Sequence, residues 1–160
     1  MPRRVLVAGI GNIFLGDDGF GVEVVRRLDR ERIGDGVDVV DFGIRGIHLA
    51  YELTAGKYDA VILVDAAPRG GAPGSVYVIE PDAGADFADV GNGHSVTPAM
   101  VLGWVRMTGG YCGRVLLVGC EPASVEESMG LSDAVAAAIE PAAEMVRTLA
   151  CELLESAACA

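Results

Sequence analysis

Gly9-Ile10-Gly11-Asn12-Ile13-Phe14-Leu15-Gly16-Asp17-Asp18-Gly19-Phe20-Gly21 joins an apolar run, Val5-Leu6-Val7-Ala8, to a segment of helical period, and this opening decides the fold class. A strand of that kind, from Arg4 to Ile10, leads through a glycine-rich turn into a helix from about Gly19 to Leu28. On that helix Gly21, Val24, Val25 and Leu28 fall at i, i+3, i+4 and i+7, so they share one face, while Glu23, Arg26 and Arg27 face water. Strand, turn and helix in this order form the first half of a βαβ unit, which demands a parallel sheet.

The rest of the chain repeats the alternation. Strands are expected at Val37 to Phe42, Ala60 to Val64, Ser75 to Ile79 and Arg114 to Val118. A short helix is expected at Ile47 to Leu53. Ala60 to Val64 is apolar throughout, as a strand covered on both faces should be. Thr97 followed by Pro98 opens another helix, with a hydroxyl cap and a ring that needs no amide donor. It ends at Gly109-Gly110. The last helical region starts near Ser132, carries Val135, Ile139, Ala142, Val146, Leu149 and Leu153 on one stripe, and is interrupted by Pro141. The prediction is one α/β domain over residues 1–160, with a twisted, mainly parallel five-stranded sheet and helices on both faces.

Composition narrows the function. The 160 residues suit one compact domain. Net charge is −11, from 23 acidic and 12 basic residues. Such a chain repels polyanions, which argues against nucleic acid as a partner. No apolar run nears the ~18 residues that cross a bilayer. The first run is too short for a signal-peptide core and reads as a strand, so no membrane insertion and a cytoplasmic location are expected. Cys112, Cys120, Cys151 and Cys159 have neither zinc-finger nor Cys-x-x-Cys spacing, and read as free thiols.

In open α/β sheets, functional groups gather beyond the carboxyl ends of the strands, where strand order reverses. Asp17 and Asp18 follow the first strand, and Asp65 follows the third, its expected neighbour. His94 lies in the polar loop after the fourth strand and can reach the same edge. Two carboxylates and an imidazole suit a borderline divalent cation such as nickel or zinc better than calcium. Each residue also has a plainer reading. Asp18 can cap the following helix, His94 can be an exposed loop residue, and His48 falls inside a helix. Asp65, a charge at the end of an apolar run, requires a partner.

Other chemistries lack their signatures. There is no Gly-x-Ser-x-Gly elbow, no His-Glu-x-x-His helix and no phosphate loop. Gly9-Ile10-Gly11 after a strand evokes a dinucleotide-binding module, with Asp41 placed for a ribose. Phe14 and Leu15, however, stand where a third glycine should be, and the two aspartates would repel a pyrophosphate. A Cys120–His94 nucleophilic pair lacks a cationic setting for the thiol.

The opening motif, Gly9 to Gly21, closely resembles that of the hydrogenase maturation proteases. Asp65-Ala66, His94 with Pro98, Gly119-Cys120-Glu121-Pro122 and Gly130-Leu131-Ser132 follow in the family's order, so the similarity covers nearly the whole chain. The resemblance implies an aspartic-type endopeptidase that removes the carboxyl-terminal extension of a nickel-iron hydrogenase large-subunit precursor after nickel insertion. It also implies that Asp18, Asp65 and His94 are the metal-contacting and catalytic set, with Asp17 capping the helix or supporting Asp18. The nickel would be supplied by the substrate rather than permanently held, and zinc or cadmium could stand in for it. A nickel-sensing chaperone that does not cleave is the alternative. Where the family shows an Asp-x-Gly-Thr-x-Gly-like turn, this chain has Asp41-Phe42-Gly43-Ile44-Arg45-Gly46, which bears on partner identity. Arg45 is expected either to pair with an acidic group of the substrate or to be solvated.

Overall fold

The computed structural model describes residues 3–29, 33–81, 97–109 and 113–156. Its elements are β1 (Val5–Ile10), a 3-10 turn (Gly16–Gly19), α1 (Phe20–Asp29), β2 (Val37–Gly43), α2 (Gly46–Thr54), β3 (Ala60–Ala66), β4 (Val76–Ile79), α3 (Pro98–Met107), β5 (Arg114–Cys120), α4 (Asp133–Ala137) and α5 (Ile139–Glu155). The five strands lie in the order β2-β1-β3-β5-β4. All neighbours are parallel except the edge pair β4–β5, which is antiparallel.

Strand alternation builds two cores. Val5 and Val7 of β1, with Ala60, Ile62 and Val64 of β3, face α1 and α5. Leu6, Ala8 and Ile10, with Val61 and Leu63, face α2 and α3. Both faces of the central strands are thus apolar, which is why these segments read as unbroken hydrophobic runs. Burial of each valine, leucine or isoleucine among them favours folding by roughly 1.5–3 kcal/mol. The helical stripe expected near the carboxyl end packs as its spacing requires: Val135, Ala142, Val146 and Leu153 are buried, and Ile139 and Leu149 lie partly buried against the same core.

The interruption in that stripe falls at Ala138, between α4 and α5, rather than at Pro141. Pro141 occupies the first turn of α5, where a missing amide hydrogen leaves no bond unmade. Thr97 caps α3 as expected, its hydroxyl accepting from the Met100 amide at 3.2 Å. One boundary differs in a way that matters. β3 continues past Val64, pairing Asp65 with Gly119 and Ala66 with Cys120, so Asp65 lies within the strand. By alternation its side chain follows Val61 and Leu63 toward the face covered by α2 and α3.

Candidate functional site

β1 leaves the sheet toward β2 by way of α1, while β2 returns across the opposite face, through α2, to β3. Strand order therefore reverses between β1 and β3, and a crevice opens beyond their carboxyl ends. Glycines let the chain crowd that point. A Cβ on Gly21 would stand 2.0 Å from the Val64 carbonyl oxygen and 2.4 Å from that of Ile10, so α1 presses its backbone directly onto both strand ends. Gly11, at φ +144°, is equally confined: a Cβ there would lie 1.9 Å from the Asp18 carbonyl oxygen and 3.6 Å from Asp65 Oδ1.

Asp18 and Asp65 meet at this crevice. Asp65 is 4% exposed, and its carboxylate accepts one hydrogen bond, from the Ala66 amide at 2.8 Å. Burial pushes its proton affinity well above the usual carboxylate range, and the charge of Asp18 pushes it further. Half-buried Asp18 accepts from the Asn12 amide at 2.8 Å. Its proton affinity is also raised, because burial outweighs that bond. Among the described residues no basic side chain pairs with either acid. Asp18 does not cap a helix; it sits in the 3-10 turn with its carboxylate turned back toward β1.

Its neighbour Asp17 is held in the opposite manner. It is 1% exposed and accepts from the amides of Ala123, Ser124 and Ser132 and from the Ser132 hydroxyl. Burial alone would raise its proton affinity, but these donors prevail and lower it. Asp17 therefore caps no helix of its own; it binds the segment between β5 and α4. That role was hidden from sequence reasoning because its partners lie more than a hundred residues away.

The other candidates resolve as follows. His94 lies outside the described residues, as do Cys112 and Cys159. Among the described residues, no cluster of three His, Cys, Asp or Glu side chains gathers closely enough to hold a metal. His48 is exposed on α2. Cys120 is fully buried, and burial followed by the charges of Asp17 and Glu121 pushes its thiol up to about 11, which suits an inert thiol. Asp41 forms an ion pair with Arg26 at 3.6 Å. Arg45 is exposed, and its guanidinium donates to the carbonyls of Asp41 and Phe42 and lies over the Phe42 ring. It thereby stiffens the turn beside an open cleft of about 270 Å³ whose walls include Gly11, Asn12, Phe14 and Ile44. Phe14 and Ile44 stand 60% and 63% exposed at this cleft, an apolar lip of the kind a protein substrate covers.

The doubly wound fold is shared with solved endopeptidases. The maturating endopeptidase HybD from Escherichia coli superposes with a TM-score of 0.74 at 34% identity over 89% of each chain. A hydrogenase 2 maturation peptidase from a Thaumarchaeota archaeon superposes at 0.70 with 35% identity, over 92% of this chain and 97% of that one. In sequence, the chain is 36% identical to the hydrogenase 2 maturation protease of Escherichia coli strain K12 over 146 residues, which is 89% of this chain and 88% of that protein. The model of the hydrogenase maturation protease family matches residues 22–149. The chain belongs to the hydrogenase maturation protease family, and it is a peptidase. No described helix is long and apolar enough to cross a membrane.

Proposed function

We propose that this peptidase removes the carboxyl-terminal extension of a nickel-iron hydrogenase large-subunit precursor in the cytoplasm, and that it recognises the nickel already seated in that precursor. The observation that carries this reading is the pair Asp18 and Asp65. Two carboxyl groups face one crevice, both with raised proton affinity and neither with a basic partner. Holding like charges in a poorly hydrated place is costly unless a cation joins them. A divalent ion borne by the substrate would relieve both acids at once. To these two the family resemblance adds His94 as an imidazole ligand.

Nickel is here part of the substrate. A precursor without it offers nothing to offset the repulsion and binds weakly, so specificity becomes detection of the ion. Contact with the ion would align the scissile bond over the crevice and polarise its carbonyl or a neighbouring water. Asp18 or Asp65, each a better proton acceptor than an ordinary carboxylate, would take the proton as water adds to the carbonyl carbon. That proton then passes to the departing amine as the peptide bond breaks.

The test is to incubate the purified protein with nickel-loaded and nickel-free precursor and to follow shortening by mass spectrometry. Cleavage confined to the loaded form is expected; equal cleavage of both would remove ion detection. Asp18→Asn and Asp65→Asn should each abolish shortening while the far-UV circular dichroism stays that of the parent.

A further inference from the structure

Between β5 and α4 the chain runs without helix or strand, and it is fastened to the turn that bears Asp18. Three backbone bonds make part of the fastening: Gly16 N to Ser128 O at 2.8 Å, Asp17 N to Ser124 O at 3.0 Å, and Ser128 N to Phe14 O at 3.0 Å. The Asp17 carboxylate makes the rest. Its Oδ1 accepts from Ser132 N at 2.7 Å, and its Oδ2 accepts from Ala123 N at 2.8 Å, Ser124 N at 3.1 Å and Ser132 Oγ at 2.9 Å. Ser132 Oγ also accepts from Val135 N as the cap of α4, so one hydroxyl links the turn to a helix of the core.

The next residue in the turn is Asp18, whose carboxylate accepts from the Asn12 amide and whose N–H donates to Leu15 O. We propose that Asp17 is a positioning residue for the peptidase reaction, its carboxylate locking the Gly16–Gly19 turn against the Ala123–Ser132 segment so that Asp18 is held opposite Asp65. This rests on the reading of Asp18 and Asp65 as the acids of the site. Asp17 itself is buried beneath the turn and touches no substrate.

The chemistry of the pocket allows little substitution. Every group around the carboxylate is a donor, and only an ionised carboxylate accepts at both oxygens. Asparagine has the same shape but turns an NH2 toward donors whichever way it flips, so at least one bond is lost and the turn loosens. A displacement of about 1 Å at a reacting group slows an enzyme on the order of 100-fold.

The experiment measures single-turnover cleavage of nickel-loaded precursor with protease in excess, each variant well below its own Tm. Asp17→Asn is expected to slow the step by at least about 10-fold and to weaken affinity for the nickel-loaded precursor, and Ser132→Ala, which removes one donor, to slow it by a few-fold. Tyr58→Phe is the stability control. It removes a hydrogen bond to Asp38 at the far end of the sheet, at 2.9 Å, and should lower Tm without slowing cleavage. Parent rates in both Asp17→Asn and Ser132→Ala would overturn the inference, as would a loss in Tyr58→Phe matching its fall in Tm. Asp18→Asn and Asp65→Asn run alongside. If they still cleave, the assignment of the site falls; if they fail while Asp17→Asn keeps the parent rate, only the positioning role falls.

Discussion

Asp18 stands near enough to Asp65 that the negative charge of the first raises the proton affinity of the second, although Asp18 sits in the turn that follows β1 and Asp65 lies on β3. Their neighbour Asp17, one residue from Asp18, has its proton affinity lowered. The chain thus separates its acids by surroundings alone. Asp17, surrounded by donors, builds structure, whereas Asp18 and Asp65, with one donor each, are the pair that the proposed function assigns to chemistry.

Replacing Asp65 should have opposite effects on activity and stability. Asp65→Asn is expected to cut precursor processing on the order of 100-fold or more while raising Tm. The folded chain holds the Asp65 proton well above the ordinary value of 3.8, so the folded state binds more protons than the unfolded one once pH exceeds that value. Stability is then lost as pH rises from about 3.8 toward the raised folded value. Asparagine carries no such penalty, so the gain in Tm over the parent should widen with pH through that window, by roughly 2–4 °C per kcal/mol relieved. Scanning calorimetry at several pH values checks it; a Tm gain that shrinks with rising pH would refute the sign.

Cation binding should show the same protons leaving. With cadmium as probe, affinity is expected to strengthen as pH climbs toward the raised value of Asp65, by about tenfold per pH unit for one displaced proton. The slope should flatten in Asp65→Asn. Calorimetric titration at three pH values reads this directly, and a pH-independent affinity in the parent would count against Asp65 as a ligand.

Cys120 should prove chemically silent. Fully buried, with its thiol pushed up to about 11, it should escape iodoacetamide at pH 8 while exposed Cys151 is labelled. Cys120→Ala is expected to cost about 1 kcal/mol of stability and to leave the processing rate within about 2-fold of the parent. Peptide mapping after alkylation, together with the cleavage assay, decides whether any nucleophilic role survives.

Gly21→Ala tests the close approach that shapes the crevice. The added methyl meets two strand carbonyls, which cannot swing aside as a side chain would. A loss of about 3 kcal/mol in urea unfolding is expected, with reduced processing even where the variant folds. Gly103→Ala, where a Cβ meets open space, is the matched control and should be neutral or slightly stabilising.

Period and punctuation made most of the sheet legible. Unbroken apolar runs marked β1 and β3 as covered on both faces, and Thr97-Pro98 marked the start of α3. Asp65 could be picked out because a charge ending an apolar run has no cheap explanation, and the structure places it beside Asp18 as strand adjacency required. Long-range polar pairing was not legible. The donors to Asp17 come from a segment without periodicity, and Arg45 spends its guanidinium on nearby carbonyls, a use that composition does not advertise. The kink or pair of abutting helices expected at Pro141 is a pair of helices that meet at Ala138, because proline belongs in a first turn and only disrupts later ones.

Glu121, buried at 6% exposure, accepts from the consecutive amides of Arg69 and Gly70 and from the Tyr77 hydroxyl, while its own backbone bonds to Gly74 and Ser75. The stretch leaving β3 is therefore fixed in length. One inserted or deleted residue there would pull a donor away from a buried acid. The turn at Gly56, with open space around it, has no such anchor. A purification tag or fluorophore grafted at Gly56 should be tolerated, whereas the same graft at Arg69 should prevent folding.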